Sequence, residues 1–395
     1  MSHRYIDSND DRVRRGDLVH PIYQLECHDA HRVLRWPRRH VQDGVASTPG
    51  FVGRRRAAAT ALAVPVSTPM GNRSAWPIEG ALVHRPFVTI AIPTYNRSDG
   101  YLREALESAL AQDYEALEIV VVDNASTDST GAYVSSVADE RLRYIRNETN
   151  LGVNGNFNAC LEHARGEYFL LLHDDDRIDP DFVTCCMNAL QAFSTTVAPA
   201  FIRTGTRVMD AAGRVRSERR NDASDGSVAD LILSWFDRET SLYFCSTLYH
   251  TEALRAAGGF RSRRELYIDV AAIVRLAARL PWLDVRDVKA TFRRHGGNNG
   301  NAQTIEAWCD DSQYLLDLMC EVVPQRAEEI RQRGLQYFSV NNYNRAARLD
   351  GLVNRMQAYW VVYRYFGFAS SPLRFIAYKN YRRFKDAVGG SSVSS

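Results

Sequence analysis

From residue 87 to residue 172 the chain alternates apolar runs with short amphipathic segments, and this alternation limits the possible folds more than any other feature. The runs FVTIAI (87–92), EIVVVD (118–123) and YFLLL (168–172) are apolar without alternation, and LRYIRN (142–147) is a further strand candidate. Apolar runs of this kind predict strands covered on both faces. Strands that alternate with helices form parallel sheets with right-handed crossovers. We therefore predict an α/β protein with a Rossmann-like, mostly parallel central sheet flanked by helices.

Three segments between these strands predict the helices. YLREALESALAQ (101–112) has its apolar residues at helical spacing. STDSTGAYVSSV (126–137) predicts a second helix, capped by Ser126 or Thr127. NGNFNACLEHA (154–164) predicts a third. Each connection is thus long enough for a crossover between parallel strands.

Composition divides the 395 residues into three regions. Residues 1–85 are rich in Arg, His, Asp and Ser without a sustained period, so we expect a disordered or loosely attached extension; a translation start at Met70 is one hypothesis. Residues 86–303 contain the α/β pattern. Residues 304–395 are predicted to be helical and end in a basic, aromatic segment.

Charge and cysteine usage exclude several classes of protein. Lys and Arg total 49 against 47 Asp and Glu, so the net charge of +2 does not favour a nucleic-acid partner. Seven cysteines without a C-x-x-C spacing indicate a reduced, cytoplasmic protein without a disulfide framework. No apolar run approaches the roughly 18 residues of a membrane-spanning helix.

Polar residues follow all four predicted strands. They are PTYNR (93–97), DNAS (123–126), NETNLG (147–152) and HDDD (173–176). Because open α/β sheets bind ligands beyond the carboxyl ends of their strands, these segments predict one crevice. The first strand is not followed by G-x-G-x-x-G, and the chain has no G-x-x-x-x-G-K-[ST], so a dinucleotide fold and a P-loop NTPase are disfavoured.

The three adjacent carboxylates of HDDD repel one another unless a cation binds them. Oxygen ligands suit Mg²⁺ or Mn²⁺, which take further ligands from the phosphates of a substrate. The alternative is a solvated acidic turn in which one Asp caps the next helix. The buried strand before the turn and the three other polar strand ends favour the metal site.

From about residue 87 to residue 301 the chain resembles family 2 glycosyltransferases with the GT-A fold. The matching segments are VTIAIPTYNR, EIVVVDNASTDST, the stretch from NLGVNGNF to HDDDRIDPDFV, GGF (258–260) and DVAAIVRLA (269–277). They occur in the expected order over about half of the chain. The resemblance implies a nucleotide-binding half at 86–180, an acceptor half at 181–303, and a nucleotide-sugar donor, with UDP preferred.

The resemblance also implies site residues. For the nucleotide-sugar site they are Pro93, Thr94, Tyr95, Arg97, Asp123, Asn150, Gly152, Asn158 and Asp174. Asp175 and Asp176 match the D-x-D position that holds a metal under the donor diphosphate. His173 stands where many relatives have the first Asp, so the roles of His173 and of Asp174 beside it stay open.

Two further residues follow from the resemblance. Asp269 matches the general base of the family's D-x-x-x-x-x-R-L-A helix, although Ile268 stands where relatives often have Glu. The alternative for Asp269 is a first-turn carboxylate stabilised by the helix dipole. His295, in FRRHGGNNGN (292–301), matches a later loop whose His completes the metal shell or contacts the diphosphate. A loop histidine without a ligand role is the alternative.

Residues 358–388 combine ten aromatic residues with six Arg or Lys residues. Such a mixture suits the surface of an anionic membrane, where a lipid-linked acceptor would be presented. The alternative is a helical segment that packs on the catalytic domain.

The sequence thus predicts an inverting, metal-dependent glycosyltransferase that moves a sugar from a nucleotide-diphosphate donor to a hydroxyl of a glycan or lipid-linked acceptor. Its expected role is the synthesis of bacterial surface polysaccharide or glycoconjugate, in the cytoplasm or on the inner face of the plasma membrane. Two alternatives stay open: an inactive partner protein with the same fold, and a nucleotidyltransferase. The second normally has a Gly-rich basic loop that PTYNRSDGY (93–101) resembles poorly.

Overall fold

The computed structural model describes residues 85–98, 100–193, 196–221, 226–296, 303–367, 371–373 and 375–377. Nearly all of the predicted N-terminal extension therefore lies outside the described residues. The same is true of the last part of the predicted membrane-contact segment, residues 378–388.

Four strands form the predicted parallel sheet in the order β3-β2-β1-β4. They are β1 (Val88–Thr94), β2 (Leu117–Asp123), β3 (Leu142–Arg146) and β4 (Tyr168–Leu171). Every residue of β1, β2 and β4 is buried, as their uninterrupted apolar pattern predicts. The connecting helices are α1 (Tyr101–Leu110), α2 (Thr130–Ser135) and α3 (Gly152–His163). The predicted α/β architecture is confirmed for this half of the sheet.

The predicted start of the second helix is wrong. Helix α2 begins at Thr130, and neither Ser126 nor Thr127 caps it. The Oγ of Ser126 instead accepts a hydrogen bond from the backbone N–H of Asn96 (2.8 Å), and the N–H of Thr127 donates to the Oδ1 of Asn96 (2.8 Å). These residues join the loops after β1 and β2, a tertiary role that helix-capping propensity does not include.

The sheet becomes mixed beyond β4. Its further strands are β5 (Arg177–Ile178), β6 (Phe201–Asp210), β7 (Val215–Arg219), β8 (Thr247–His250) and β9 (Leu283–Arg294). They continue the order as β4-β8-β6-β9-β5, with β7 also paired to β6. Only the β6–β9 pair is parallel among these described pairings. The helices of this half are α4 (Phe182–Ala192), α5 (Val228–Phe236), α6 (Thr251–Ala256) and α7 (Ile268–Ala277).

The C-terminal region is helical, as predicted. Its helices are α8 (Ile305–Val322), α9 (Ala327–Ala346) and α10 (Leu352–Phe366). Leu315 of α8, Phe338 of α9 and Val362 of α10 belong to the same hydrophobic core as Ala91 and Phe169 of the sheet. The second core lies around the other side chains of the same strands, among them those of Ile90 and Leu170, together with α1 and α4. Within the described ranges, no helix combines the length and the hydropathy that crossing a membrane requires.

Candidate active site

The ends of β1, β2 and β4 meet at one edge of the sheet. The Oγ1 of Thr94, at the end of β1, donates a hydrogen bond to the Oδ2 of Asp174 (2.9 Å), just beyond β4. The backbone N–H of Asn124, just beyond β2, donates to the carbonyl of Thr94 (2.9 Å). The predicted polar segments therefore lie together at one edge of the sheet, because parallel strands carry their carboxyl ends to the same side.

Asp174 is the first carboxylate of the acidic turn. Besides Thr94, it faces Arg97, whose Nε lies 3.7 Å from Oδ2. Burial raises the pKa of Asp174 to about 7, and the negative charge of Asp175 adds to this rise. The charge of Arg97 and the hydrogen bond from Thr94 act to lower the pKa. Thr94, Arg97 and Asp174 are thus brought together as a polar group at the end of β1.

Asp175 faces the end of β9. Its Oδ2 lies 2.7 Å from the Nε2 of His295. Burial acts to raise the pKa of Asp175, but the hydrogen bond with His295 and the positive charges around it hold this pKa below its ordinary value. Asp175 and His295 are therefore in direct contact, and the predicted role of His295 as a ligand of the metal or the diphosphate stays a prediction.

Asp176 is held by the backbone of β9, since the N–H of Arg293 donates to its Oδ1 (2.9 Å). Burial, together with the charge of Asp175, raises the pKa of Asp176 well above its ordinary value. A bound cation would relieve both effects, because it offsets the lost hydration and the repulsion.

Arg293 is a site residue that sequence reasoning missed. Its Nε donates to the carbonyl of Asp175 (2.9 Å), its Nη2 contacts Glu104, and its guanidinium lies 4.4 Å from the ring centre of Tyr101. The side chain is only 2% exposed. Arg293 therefore fixes the backbone of the acidic turn through its hydrogen bond to this carbonyl. The R-x-H spacing to His295 was the one available signal in the sequence.

His173 lies between two aromatic rings, with centroid distances of 4.9 Å to Phe157 and 5.0 Å to Phe244. Burial lowers its pKa, so its imidazole is neutral, the form that binds metals. Its Nε2 is buried and has no hydrogen-bond partner among the residues that the structure describes. A buried ring nitrogen without a partner needs an explanation, and a cation provides one.

His173, Asp175 and Asp176 form a candidate metal centre. Each offers one ligand atom, and these atoms all lie within 4.8 Å of one another. The set differs from the predicted set of Asp175, Asp176 and His295, because His173 joins the two carboxylates. One nitrogen with two carboxylates suits Mn²⁺ better than Mg²⁺, which prefers oxygen ligands.

Asp123 ends β2 and is fully buried. Its carboxylate accepts hydrogen bonds from the hydroxyl of Tyr144 (2.6 Å) and the N–H of Ser126 (2.8 Å), and the Nε of Arg146 lies 3.7 Å away. Burial, with the bond to Asp123, raises the pKa of Tyr144 to about 12. Asp123 thus organises the β2–α2 loop, and its contact with a nucleotide stays a prediction.

The segment before α3 is held by asparagines. The Oδ1 of Asn150 accepts hydrogen bonds from the Nδ2 of Asn124 and the N–H of Gly152, both at 2.8 Å. Gly152 has a φ of +73°, which a residue with a side chain adopts at a cost. Asn124, which the sequence reasoning missed, thereby joins the end of β2 to this segment.

Three other residues predicted to bind the nucleotide sugar have different surroundings. Pro93 is buried within β1, and Tyr95, two residues further on, is 44% exposed. Asn158 binds the backbone of Phe260 in both directions: its Nδ2 donates to the carbonyl (3.0 Å) and its Oδ1 accepts from the N–H (2.9 Å). The amide of Asn158 thus holds the GGF turn, and its predicted contact with the donor is untested.

Asp269 lies in the first turn of α7 and is half-buried. Its Oδ1 accepts a hydrogen bond from the N–H of Val270 (2.8 Å). Burial raises the pKa of Asp269 to about 7, and the charge of Asp311 contributes in the same direction. A carboxylate with this pKa can accept a proton near neutral pH, as a general base must.

Comparison with known proteins agrees with this geometry. Residues 89–254 match the family model described as Glycosyl transferase family 2. The chain is 43% identical over 96 residues to the succinoglycan biosynthesis protein ExoO of Rhizobium meliloti (strain 1021), covering 24% of this chain and 27% of that protein. It is 36% identical over 100 residues to the putative colanic acid biosynthesis glycosyl transferase WcaA of Escherichia coli (strain K12), covering 25% and 36% respectively. The chain spans well under two thirds of these relatives' length.

A solved structure supports the fold. The crystal structure of S. aureus TarS 1–349 aligns with a TM-score of 0.55 at 18% identity, over 71% of this chain and 81% of that chain. The curled, mixed sheet with flanking helices is therefore a GT-A fold.

Proposed function

We propose that this protein is an inverting, metal-dependent glycosyltransferase that transfers a sugar from a nucleoside-diphosphate donor to an acceptor hydroxyl. The single observation that carries the proposal is the acidic turn after β4, where His173, Asp175 and Asp176 bring three ligand atoms within 4.8 Å of one another at the strand-end crevice of a GT-A fold. The names of the ExoO and WcaA relatives support a role in bacterial surface polysaccharide synthesis.

The donor is proposed to bind across the ends of β1, β2 and β4. A metal held by His173, Asp175 and Asp176 would neutralise charge on the diphosphate as it leaves. Arg97 and Thr94 lie next to this turn, and this proximity supports a role for both in contacting the donor. S. aureus TarS has been solved in complex with UDP, and its structure aligns with a TM-score of 0.54, which supports UDP as the nucleotide.

Asp269 is proposed to act on the acceptor side. Its carboxylate takes the proton of the attacking hydroxyl, which makes that oxygen a better nucleophile at the anomeric carbon. A pKa of about 7 supports this role, because the group is partly deprotonated at neutral pH and basic enough to receive the proton. Inversion follows from direct attack opposite the leaving diphosphate.

Contact with an anionic membrane surface belongs to the same proposal. Helix α10 exposes Leu352 (70%), Val353 (68%), Met356 (51%) and Trp360 (60%). Residues 352, 356 and 360 succeed one another at helical spacing, so these side chains form one apolar stripe. The helix contains Arg355 and Arg364 but no acidic residue. This combination of Trp, aliphatic residues and Arg suits a membrane interface.

The exposed stripe begins earlier than the predicted segment at 358–388. The opposite face of α10 buries Ala358, Tyr359, Val362 and Phe366. The alternative expectation, a helical segment that packs on the catalytic domain, therefore describes the buried face of α10. The proposed membrane contact rests on the exposed stripe alone.

Product analysis tests the reaction class. The purified protein is incubated with Mn²⁺ in two mixtures: nucleotide sugars with candidate lipid-linked or glycan acceptors, and nucleoside triphosphates with sugar 1-phosphates. Release of nucleoside diphosphate with glycosylated acceptor supports the proposal, and release of pyrophosphate supports the nucleotidyltransferase. Neither product, from protein that binds nucleotide, supports the inactive partner protein. Asp175→Ala is the inactive control, and Asp317→Ala, at an exposed aspartate on α8, is the matched active control.

A further inference from the structure

We infer that Asp311, in helix α8, is a positioning residue for Asp269, because it fixes the loop that leads into α7. The inference rests on the proposed role of Asp269 as the base. It gives the C-terminal helices a part in the reaction, although they contribute no predicted catalytic residue.

Asp311 is a fully buried carboxylate whose two oxygens accept four hydrogen bonds from this loop. Oδ1 accepts from the N–H of Arg264 (2.8 Å). Oδ2 accepts from the Oγ of Ser262 (2.9 Å) and from the N–H groups of Leu266 (3.0 Å) and Tyr267 (2.9 Å). Tyr267 is the residue that precedes α7, so these bonds end two residues before Asp269.

The loop needs this support because its backbone is strained. Glu265 has a φ of 59°, in the left-handed region that residues with a side chain rarely adopt. It lies between Arg264 and Leu266, whose amides both point to Asp311. Asp311 therefore holds the turn in a conformation that the loop would not favour alone.

The rest of the loop is tied down as well. At its beginning, the amide of Asn158 binds Phe260, and a Cβ on Gly259 would come within 2.4 Å of the Oδ1 of Asn158. Arg275 of α7 donates to the carbonyl of Arg261 (3.0 Å) and to the hydroxyl of Tyr314 on α8 (2.5 Å). The loop is thus held against α3 at its beginning, and α7 is held against α8.

An aspartate is required at this position because both of its oxygens must accept. Asn has nearly the same shape, but its NH₂ group would face backbone N–H donors in place of an acceptor oxygen. The neighbouring Asp310 provides a matched control: it is more exposed and pairs with the side chains of Arg263 (3.1 Å) and Arg264 (2.6 Å) on the same loop. Such surface pairs contribute little to structure.

Asp311 also acts on Asp269 through its charge. Burial is the main reason that the pKa of Asp269 is raised, and the negative charge of Asp311 raises it further. From β8, Tyr249 faces the same region, and its own pKa is raised by burial and by the charge of Asp269. Removing the charge of Asp311 should therefore lower the pKa of Asp269.

Hydrogen exchange tests the positioning directly, without requiring activity. The full chain is measured as wild type, Asp311→Asn and Asp310→Asn, using peptides that cover residues 262–270 and, as a reference for intact folding, residues 168–178. We expect the amides of Arg264, Leu266 and Tyr267 to exchange at least about tenfold faster in Asp311→Asn only. Wild-type exchange in Asp311→Asn would overturn the inference.

Kinetics test the consequence for the reaction. We expect Asp311→Asn to lower kcat at least about tenfold with the donor KM within about twofold of wild type. The acidic limb of its kcat–pH profile should move to lower pH, while Asp310→Asn resembles wild type. A kcat within about twofold of wild type, or a parallel loss of donor binding, contradicts the inference.

Two further outcomes keep the tests separable. If Asp311→Asn does not fold, Ser262→Ala removes one of the four hydrogen bonds, and faster exchange at 264–267 with a smaller loss of kcat is expected. Unchanged exchange and kcat in that variant would count against the inference. If wild type transfers no sugar, the proposed function fails, whereas the exchange result still decides whether Asp311 fixes the loop.

Discussion

Among the properties of single residues, the protonation state of Asp269 is the one that matters most for the proposed reaction. Because burial raises its pKa to about 7, the fraction of active base should increase as pH rises through about 7. We expect kcat to follow this titration. Asp269→Asn should lower kcat by about 10²-fold or more, since a general base typically contributes that much, while UDP affinity stays the same.

The same carboxyl predicts a stability effect of defined sign. Its pKa in the folded state lies above the unfolded value, so the folded state binds the extra proton, and stability falls as pH rises between about 4 and 7. Asp269→Asn should therefore gain free energy of unfolding at pH 8, on the order of 1 kcal/mol, and less at pH 5. Urea unfolding at both pH values measures this. Equal gains at both, or a loss at pH 8, would contradict it.

His173 carries the second prediction at the residue scale. His173→Phe keeps an aromatic ring between Phe157 and Phe244 but removes the ring nitrogens. We expect Mn²⁺ affinity, measured by electron paramagnetic resonance of free Mn²⁺, to fall by about 10-fold or more. Phe157→Leu disturbs the same packing and should keep Mn²⁺ affinity while losing about 1–3 kcal/mol of stability. Wild-type Mn²⁺ binding in His173→Phe would mean that His173 is only a packing residue.

The site residues differ in how much of them the sequence could reveal. The clustering of Asp175 and Asp176 at the end of β4 was predictable because its signal is local: adjacent carboxylates directly after a buried strand. Arg293 and Asp311 were not, since Arg293 contacts the carbonyl of a residue 118 positions away, and Asp311 binds residues 44 to 49 positions away. Because the partners of these buried charges are far away in the sequence, no characteristic residue spacing reveals them.

Among the elements, the end of β9 decides the geometry of the acidic turn. Arg293 supplies the buried guanidinium that binds the carbonyl of Asp175 and contacts Glu104. Arg293→Met should destabilise the protein by about 1–3 kcal/mol, because it leaves the carbonyl of Asp175 without its buried donor and the partly exposed Glu104 without its partner. Chemical denaturation measures this loss. The neighbouring Arg294→Met, at an exposed side chain of the same strand, should change stability by less than about 0.5 kcal/mol. Equal effects of both variants would refute this account of β9.

The elements also show where pattern reasoning stops. Strands β1 to β4 were predictable because each is joined to the next by a helix, and helix-strand alternation determines parallel pairing. Strand β6 pairs with β8, β9 and β7 at once, and its pairing with β9 joins Arg203 to Asp284 and Thr206 to Ala290 across irregular registers. The pairing with β7 is a local hairpin, whereas the pairings with β8 and β9 join segments far apart in the chain, which local periodicity does not encode.

At the scale of the whole molecule, the stripe on α10 predicts binding to anionic membranes. The double variant Met356→Glu and Trp360→Glu should lower co-sedimentation with phosphatidylglycerol-containing vesicles by about 10-fold, since it removes apolar contact and adds negative charge. Val215→Glu, at an apolar residue of β7 that is 56% exposed, is the matched control and should bind like wild type. Equal binding by all three proteins, or no binding by wild type, would exclude the stripe as the membrane contact.

The central claim is that the acidic turn binds the metal that in turn binds the donor diphosphate. The most direct test is the thermal shift of wild type and Asp175→Ala with UDP, GDP, dTDP or CDP, each with Mn²⁺, Mg²⁺ or EDTA. A ligand that binds only the folded state raises Tm. We predict a shift with UDP and Mn²⁺ that is smaller with Mg²⁺ and is lost with EDTA and in Asp175→Ala. A shift that persists in EDTA or in Asp175→Ala, or no shift with any nucleotide, would contradict the claim.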